Sequence, residues 1–560
     1  MRTRVLCIVC SGLVVVGVSN LYGQGKKEPP HRQSAMPTDS SSHKSDASLP
    51  KIDLPEFLIT GNESIDLPDV GKTSAEGQWV DDSSLRKPNP GAREASVQLG
   101  GVQKEQIGFP SLINGYRGKA LVGYGSYNTP YFDGWFGNSS SSVDFLLKAG
   151  YRSSGGHVAN ADYRNGHASL AGGMHLGEDP GMFSGNRLQA HMGMRGNSYS
   201  LYGSANPALR RSLTSVDGGV AMSSTNVEML PYSARFAVQS STLEDASKTG
   251  ETSLGFEINT AKDLGDVELK GDLALWRSFY SAPSSSVDPY FTQLGASAGY
   301  RLANSLDVRG GLALFLFRGS DTKTLGRLYP RLGVSWYADE RLTVYAKFEP
   351  VVKRMSLDGL VASSPYVVTD VELRHAEQFI NFSLGAEAEV SRMIRSRLSL
   401  NYSQTDNTPV FVDPGSVKVW SVSYGGTTRV VTVNGEVYAD ITEADNLGAS
   451  FSIRSNRNTL TGSPNPYFPS FLSSATYQHR FLFALTVGST LQVVGRQSVD
   501  QSDNRHLPAF VVLNLKAEYV IVPRWNVMIV LSNLFDQKQT WWDNYAGLQR
   551  TVSFGTSFAW

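Results

Sequence analysis

Residues 551–560 read TVSFGTSFAW, which puts Val552, Phe554, Phe558 and Trp560 on one side of an extended chain and Ser553, Gly555, Ser557 and Ala559 on the other. Chain ends ordinarily fray and tolerate polar sequence. An apolar alternation carried to the last residue asks for a cover over one face and for hydrogen-bonding partners along both edges.

The same period of two recurs upstream. In SLDVRGGLALFLF, Leu306, Val308, Leu312, Leu314 and Leu316 alternate with Asp307, Arg309, Gly311 and Ala313. RLTVYAKFE sets Leu342, Val344, Ala346 and Phe348 against Thr343, Tyr345 and Lys347. VVLNLKAEY sets Val511, Leu513, Leu515, Ala517 and Tyr519 against Asn514, Lys516 and Glu518. Strands of a soluble sandwich run to five or six residues, whereas these reach about ten, enough to cross a bilayer at a tilt. The connections sort by length as well. FDQKQTWWDNYAGLQ, QSVDQSDNRHLP, SNRNTLTGSPNPYFPS and 352–375 are long, while IVPR, HRFLFA, SRM and ADE are short. Long loops on one side and tight turns on the other are the mark of an outer-membrane barrel. The expected fold is all-β: a transmembrane, antiparallel, up-and-down barrel of about 22 strands over 113–560. Closure satisfies every backbone group, as lipid requires.

The rest of the chain fits that reading. Its 560 residues carry 51 basic and 51 acidic side chains, so nucleic acid is not an expected partner. Charged residues make up only 18% and Gly numbers 54, which suits a β-rich chain with much of its surface out of water. Residues 1–24 have the basic start, short apolar core and small-residue end of an export signal. Cys7 and Cys10 lie within it, so the exported chain would hold no thiol. Residues 25–112 are rich in Pro, Ser and charge and read as a disordered or extended periplasmic linker. Within them Phe57, Leu58, Ile59 and Thr60 form a short extended patch, either a spacer or a strand offered to a partner.

The C-terminal hundred residues resemble the end of a TonB-dependent receptor. NPYFPSFLSSATYQHRF, LQVVGRQSVD, LPAFVVLNLKAEYVI, WNVMIVLSNLFDQKQ and RTVSFGTSFAW stand in the order of that family's last strands, and NLFD at 533–536 is the most specific piece. The resemblance implies a 22-stranded barrel, and a final strand with Phe554, Phe558 and Trp560 that the outer-membrane assembly machinery reads. One feature departs from the family: no plug domain is recognisable ahead of the barrel, which leaves coupling to TonB open.

If the apolar parity faces lipid, the other parity lines the lumen. In NFSLGAEAEVSRMIRSRLSLNY the inward set holds Glu387 and Glu389 on one strand and Arg395 and Arg397 on the next. Lys516 and Glu518 belong to the inward set of a later strand. Such charges either pair across strands to hold a wet wall together or form a substrate-selecting ring. Trp276, Trp336 and Trp525 fit an interfacial aromatic girdle, while Trp541 and Trp542, in an external loop, fit a girdle or a ligand contact. No GxSxG, paired-His motif, metal-ligand spacing or phosphate loop occurs in the exported part, so neither an enzyme nor a cofactor is expected. The expected function is solute transport across the outer membrane. The alternative is a plugless scaffold or secretion component, its lumen filled by a partner such as a surface or periplasmic lipoprotein. An unplugged barrel of this size would be a wide hole. Residues 50–112, folded-in loops or another protein must fill it.

Overall fold

The computed structural model describes residues 117–560, apart from 141–142, 177–184, 225–229, 304, 322 and 414. The expected signal, the linker 25–112 and the patch Phe57–Thr60 lie outside the described residues. From Gly118 onward the chain runs up and down through a closed barrel of 22 antiparallel strands. One of these staves is built in two pieces, Leu342–Phe348 and Val351–Lys353, both paired with Ala376–Ser391 across Glu349-Pro350. Proline lacks the N–H a ladder needs, so the break falls where the sequence dictates it.

Closure joins the two ends of the barrel. The first strand, Gly118–Gly125, pairs antiparallel with the last, Thr551–Ala559, with Gly123 opposite Gly555 and Tyr124 opposite Phe554. The Trp560 carbonyl accepts from the N–H groups of Arg117 and Gly118, and the Trp560 N–H donates back to Gly118 O at 3.0 Å. A Cβ on Gly118 would fall 2.4 Å from the Trp560 ring. The terminal tryptophan thus clamps the seam at a position that admits no side chain on the first strand.

Outside, alternate side chains form an apolar band. Leu312, Leu314 and Leu316, Leu328 and Leu332, Phe382 and Leu384, Leu398 and Leu400, Ile529, Phe554 and Phe558 all point away from the lumen and are exposed. Lipid supplies the cover that these residues, and the C-terminal stretch, require. Trp336 and Trp525 are exposed among them near strand ends on the tight-turn side, as an aromatic girdle demands. Trp276 is not: it packs inward against Phe291 and Phe315, with the Arg354 guanidinium 4.1 Å from its ring centroid.

The turns at 265–266, 338–341, 392–393 and 523–524 are tight, and the opposite rim carries 354–375, 407–426, 459–470, 495–509 and 533–550. The sorting is not uniform, because 126–128 is short on the loop side and 176–185 is long on the turn side. By the rule that outer-membrane barrels keep their turns in the periplasm, the long-loop rim is external.

The seam is sensitive to bulk. A Cβ on Gly123 would meet Tyr131 Cζ at 2.0 Å and Phe554 O at 2.6 Å. Gly123→Val is expected to destabilise the folded barrel by about 1–3 kcal/mol. In heat-modifiable gel mobility this appears as unfolding at lower temperature than the parent.

Candidate functional site

The lumen has two storeys, and part of the upper one departs from the alternation rule. In the lower one the structure places Glu387 against Arg397, with N···O 2.8 Å, across the Ala376–Ser391 and Ile394–Asp406 pair. Glu389 stands opposite Arg395 in register, both exposed. Lys516 and Glu518 are two residues apart on Phe510–Val522 and pair at 3.2 Å. These charges are spread around the wall and do not converge on one site.

In one sector of the upper storey, around Phe291 and Phe315, both parities are apolar. Within the run LALFLF at 312–317, Leu312, Leu314 and Leu316 face lipid while Ala313, Phe315 and Phe317 are buried on the lumen side. Val351 and Val352 of the broken stave pack against them, and His375, where the external loop 354–375 ends, meets Phe291 and Phe317. That loop turns down into the mouth and packs on a second apolar surface of the wall, around Tyr199, Leu213, Leu243 and Tyr280. It begins with a helix, Leu357–Ser363, capped by the Ser356 hydroxyl accepting from Gly359 N, with Asp358 in its first turn. Leu357, Leu360 and Val361, at helical spacing, form the buried face, and Ser364-Pro365 ends the element. Asp358 takes both its oxygens to Arg195 at 2.8 Å, and Leu357 N donates to Glu251 at 2.6 Å.

Beyond the helix the chain is extended, and its alternate carbonyls are held by wall side chains. Pro365 O accepts from Tyr199 OH at 2.6 Å and from Arg211 at 2.9 Å. Val367 O accepts from Arg211 at 2.6 Å, Thr369 O from the Thr249 hydroxyl at 2.6 Å, and Val371 O from Tyr280 OH. Arg211 is itself paired with Asp245 at 2.5 Å, and Asp245 also accepts from the Thr369 hydroxyl. Burial alone would raise the Asp245 carboxyl, but these hydrogen bonds hold it below the ordinary carboxylate range. Wall and loop together form a polar latch.

Above it four loops, 354–375, 407–426, 459–470 and 533–550, share one aromatic core. Tyr366 stacks on Tyr545 at 3.6 Å, Tyr467 on Trp542 at 4.3 Å, and Trp420 meets Trp542 at 5.0 Å. Trp542 is therefore neither girdle nor free contact but a buried hub. Asp543 ties neighbouring loops together through Lys418 and Arg505, each at 2.7 Å. Burial opposes its charge, and those two cations keep its carboxyl below the ordinary range.

A cleft with about 70 Å³ of open space remains between this core and the wall. Its lining includes Phe411, Tyr467, Phe468, Trp541 and Trp542, three prolines, Lys353 and Arg454, with Thr405, Thr428, Asn465 and Gln497 as polar groups. No carboxylate takes part. The Arg454 guanidinium lies 5.5 Å from the Phe468 ring centroid. The space suits a few waters, so a larger guest enters only when the loops part. None of these cleft residues was singled out from sequence except Trp541 and Trp542.

No family model and no curated relative matches the sequence. Solved structures do match. The FrpB iron transporter of Neisseria meningitidis superposes with TM-score 0.63 at 14% identity, covering 79% of this chain and 81% of that one. The siderophore receptor PiuA of Acinetobacter baumannii gives 0.60 at 10%, covering 79% and 81%. The ferric-catecholate import receptor Fiu of Escherichia coli K12 gives 0.59 at 11%, covering 80% and 82%. The chain has the barrel fold of TonB-dependent receptors. At these identities the likeness establishes the fold, and a barrel of this kind, with a lipid-facing band, is built for an outer membrane.

Two outcomes test the latch. Arg211→Ala leaves Asp245 buried without its cation, frees the Val367 carbonyl and leaves Pro365 O only the Tyr199 hydroxyl, at an expected cost of about 3–5 kcal/mol. Limited proteolysis will then cut within 354–375 while the barrel stays folded. The second concerns His375, whose Nδ1 accepts from Met355 N at 3.1 Å while its Nε2 lies 3.2 Å from Tyr290 O. Burial, helped by nearby Arg354, pushes this imidazole down to about 4 from its ordinary 6.5. A base whose folded pKa is lowered stabilises fully above its unfolded value and loses that contribution as pH falls toward the folded one. Protection of 354–375 from protease is expected to be flat above about pH 6.5 and to decline from there to about pH 4. His375→Gln, which keeps one acceptor and one donor, flattens that decline.

Proposed function

We propose that the protein moves a solute across the outer membrane, with the inward loop 354–375 as the resident obstruction of its mouth and the aromatic cleft as the point of entry. A barrel of 22 strands encloses far more space than its wall side chains can fill. Supporting this reading is the fact that the chain's own loops, latched to the wall through alternate carbonyls, cross that space. Rings, prolines and two cations without a carboxylate suit a neutral or anionic solute that carries a planar group. FrpB is described as an iron transporter, PiuA as a siderophore receptor and Fiu as a ferric-catecholate import receptor. They lend the reading its transport class and leave the solute to the chemistry of this cleft. Residues 1–24 then serve as the export signal and 25–112 as the periplasmic lead into the barrel.

The deciding measurement is conductance in planar bilayers. The parent chain is expected to pass little current, and a variant with 357–372 replaced by a short Gly-Ser link to pass a large steady one. Equal, large currents from both would remove the loop as obstruction. Equal, small currents, with a stoichiometric protein copurifying, would favour the scaffold reading.

A further inference from the structure

We propose that the periplasmic turn at 481–484 is a membrane anchor that inserts into the phospholipid interface of the inner-facing leaflet. The turn joins Phe471–Arg480 to Leu485–Val494 and reads Phe481-Leu482-Phe483-Ala484. It is closed by Phe481 N donating to Leu485 O at 2.8 Å, with Ala484 at φ 61°. Polar and glycine residues are the usual occupants of such tips. Here Leu482 is fully exposed, at 107% of its reference area, and Phe483 at 61%. The two phenyl rings lie 5.2 Å apart, so the tip presents one compact apolar knob.

Three features of its surroundings select lipid as the occupant. Exposed apolar residues lead from the lipid-facing band toward the tip: Tyr519, Ile521 and Val522 on the neighbouring strand, and Tyr477 on the strand before the turn. Along the same rim the next turn has Ile441 exposed and the one beyond it Met393. Polar groups on the outward face just before the tip satisfy one another, as they must away from bulk water. The Asp445 carboxylate accepts from Tyr477 OH at 2.6 Å and from the Thr442 hydroxyl at 2.6 Å, and lies 2.7 Å from His479 Nδ1. Exposed Arg392, Arg480 and Arg524 stand beside these apolar tips on three turns, at the level where lipid phosphates would meet them. Apolar tip and basic collar together match a phospholipid interface better than a protein partner's dry patch.

The test uses one spin label. With Cys7 and Cys10 replaced by serine, Leu482→Cys is labelled with a nitroxide, and Glu340→Cys, at a polar turn on the same rim, serves as reference. Each full-length chain is placed in phosphatidylethanolamine–phosphatidylglycerol vesicles, and heat-modifiable mobility verifies folding. Collision with oxygen relative to a water-soluble nickel chelate is expected to be several-fold higher at 482 than at 340. Equal ratios at the two sites would put the knob in water and overturn the anchor. In that case a protein partner becomes the better occupant.

Discussion

Everything in this molecule depends on one constraint: in hydrocarbon no backbone N–H or C=O can be left to water. Helices satisfy it singly, but strands satisfy it only by closing on themselves. The pairing of Gly118–Gly125 with Thr551–Ala559 is what converts a long meander into an object with no edges. Two requirements meet at that seam. The lipid side takes aromatics, and the lumen side must let Tyr131 cross the Gly123–Gly555 pair, where its hydroxyl donates to Phe554 O at 3.2 Å. Small residues inward and large ones outward on the last strand follow from the seam itself, and the terminal tryptophan is part of the closure.

Closure creates the next problem. A wall wide enough to enclose 22 strands cannot fill its own middle with side chains. The lower lumen answers with hydrated ion pairs, which add little stability each but keep a polar wall in order. In the upper lumen the inner wall turns apolar at Phe291, Phe315 and Phe317, and an apolar inner wall facing water would cost about 25 cal/mol for each Å². Val351, Val352 and the His375 ring cover that patch. Folding 354–375 inward buries a second apolar stretch of wall, around Tyr199, Leu213, Leu243 and Tyr280.

The staves could be read from the sequence because the side a strand residue faces is set by its immediate neighbours. The parities in 306–316 and 382–402 needed no tertiary knowledge. The loop core could not be read that way, because its decisive contacts join residues far apart, such as Thr249 with Thr369 or Tyr202 with Tyr545. Some of its signals were nonetheless local. LALFLF is apolar on both parities, which a strand between lipid and water does not allow. SLDGLVASSP holds a serine cap, an acidic first turn, apolar residues at helical spacing and a proline stop. Trp276 shows the limit of counting aromatics: a tryptophan on a strand can serve a girdle or an inner core, and only its face decides.

A latch that must release has to avoid stranding a charge, and the arrangement at 365–371 meets that demand. Arg211 and Asp245 both belong to the wall, so their ion pair stays intact when the loop leaves. At 365, 367, 369 and 371 neutral carbonyls lose partners, as do the Thr369 hydroxyl and the wall hydroxyls of Tyr199, Thr249 and Tyr280. Neutral hydrogen bonds exchanged for water cost about 0.5–1.5 kcal/mol each, whereas a buried charge left alone costs about 3–5 kcal/mol. The loop carries charges of its own: Asp358 pairs with half-exposed Arg195 and Asp370 accepts from Ser284 at the surface, where water can take over. The buried Glu251 carboxylate of the wall, by contrast, would lose the Leu357 N–H. What resists opening is that contact together with the apolar face, Leu357, Leu360, Val361 and the rings around Tyr366. On the proposed transport reading, a guest bearing a ring of its own would stand in for those contacts, and the choice of guest and the release of the obstruction would then fall to the same aromatic cluster.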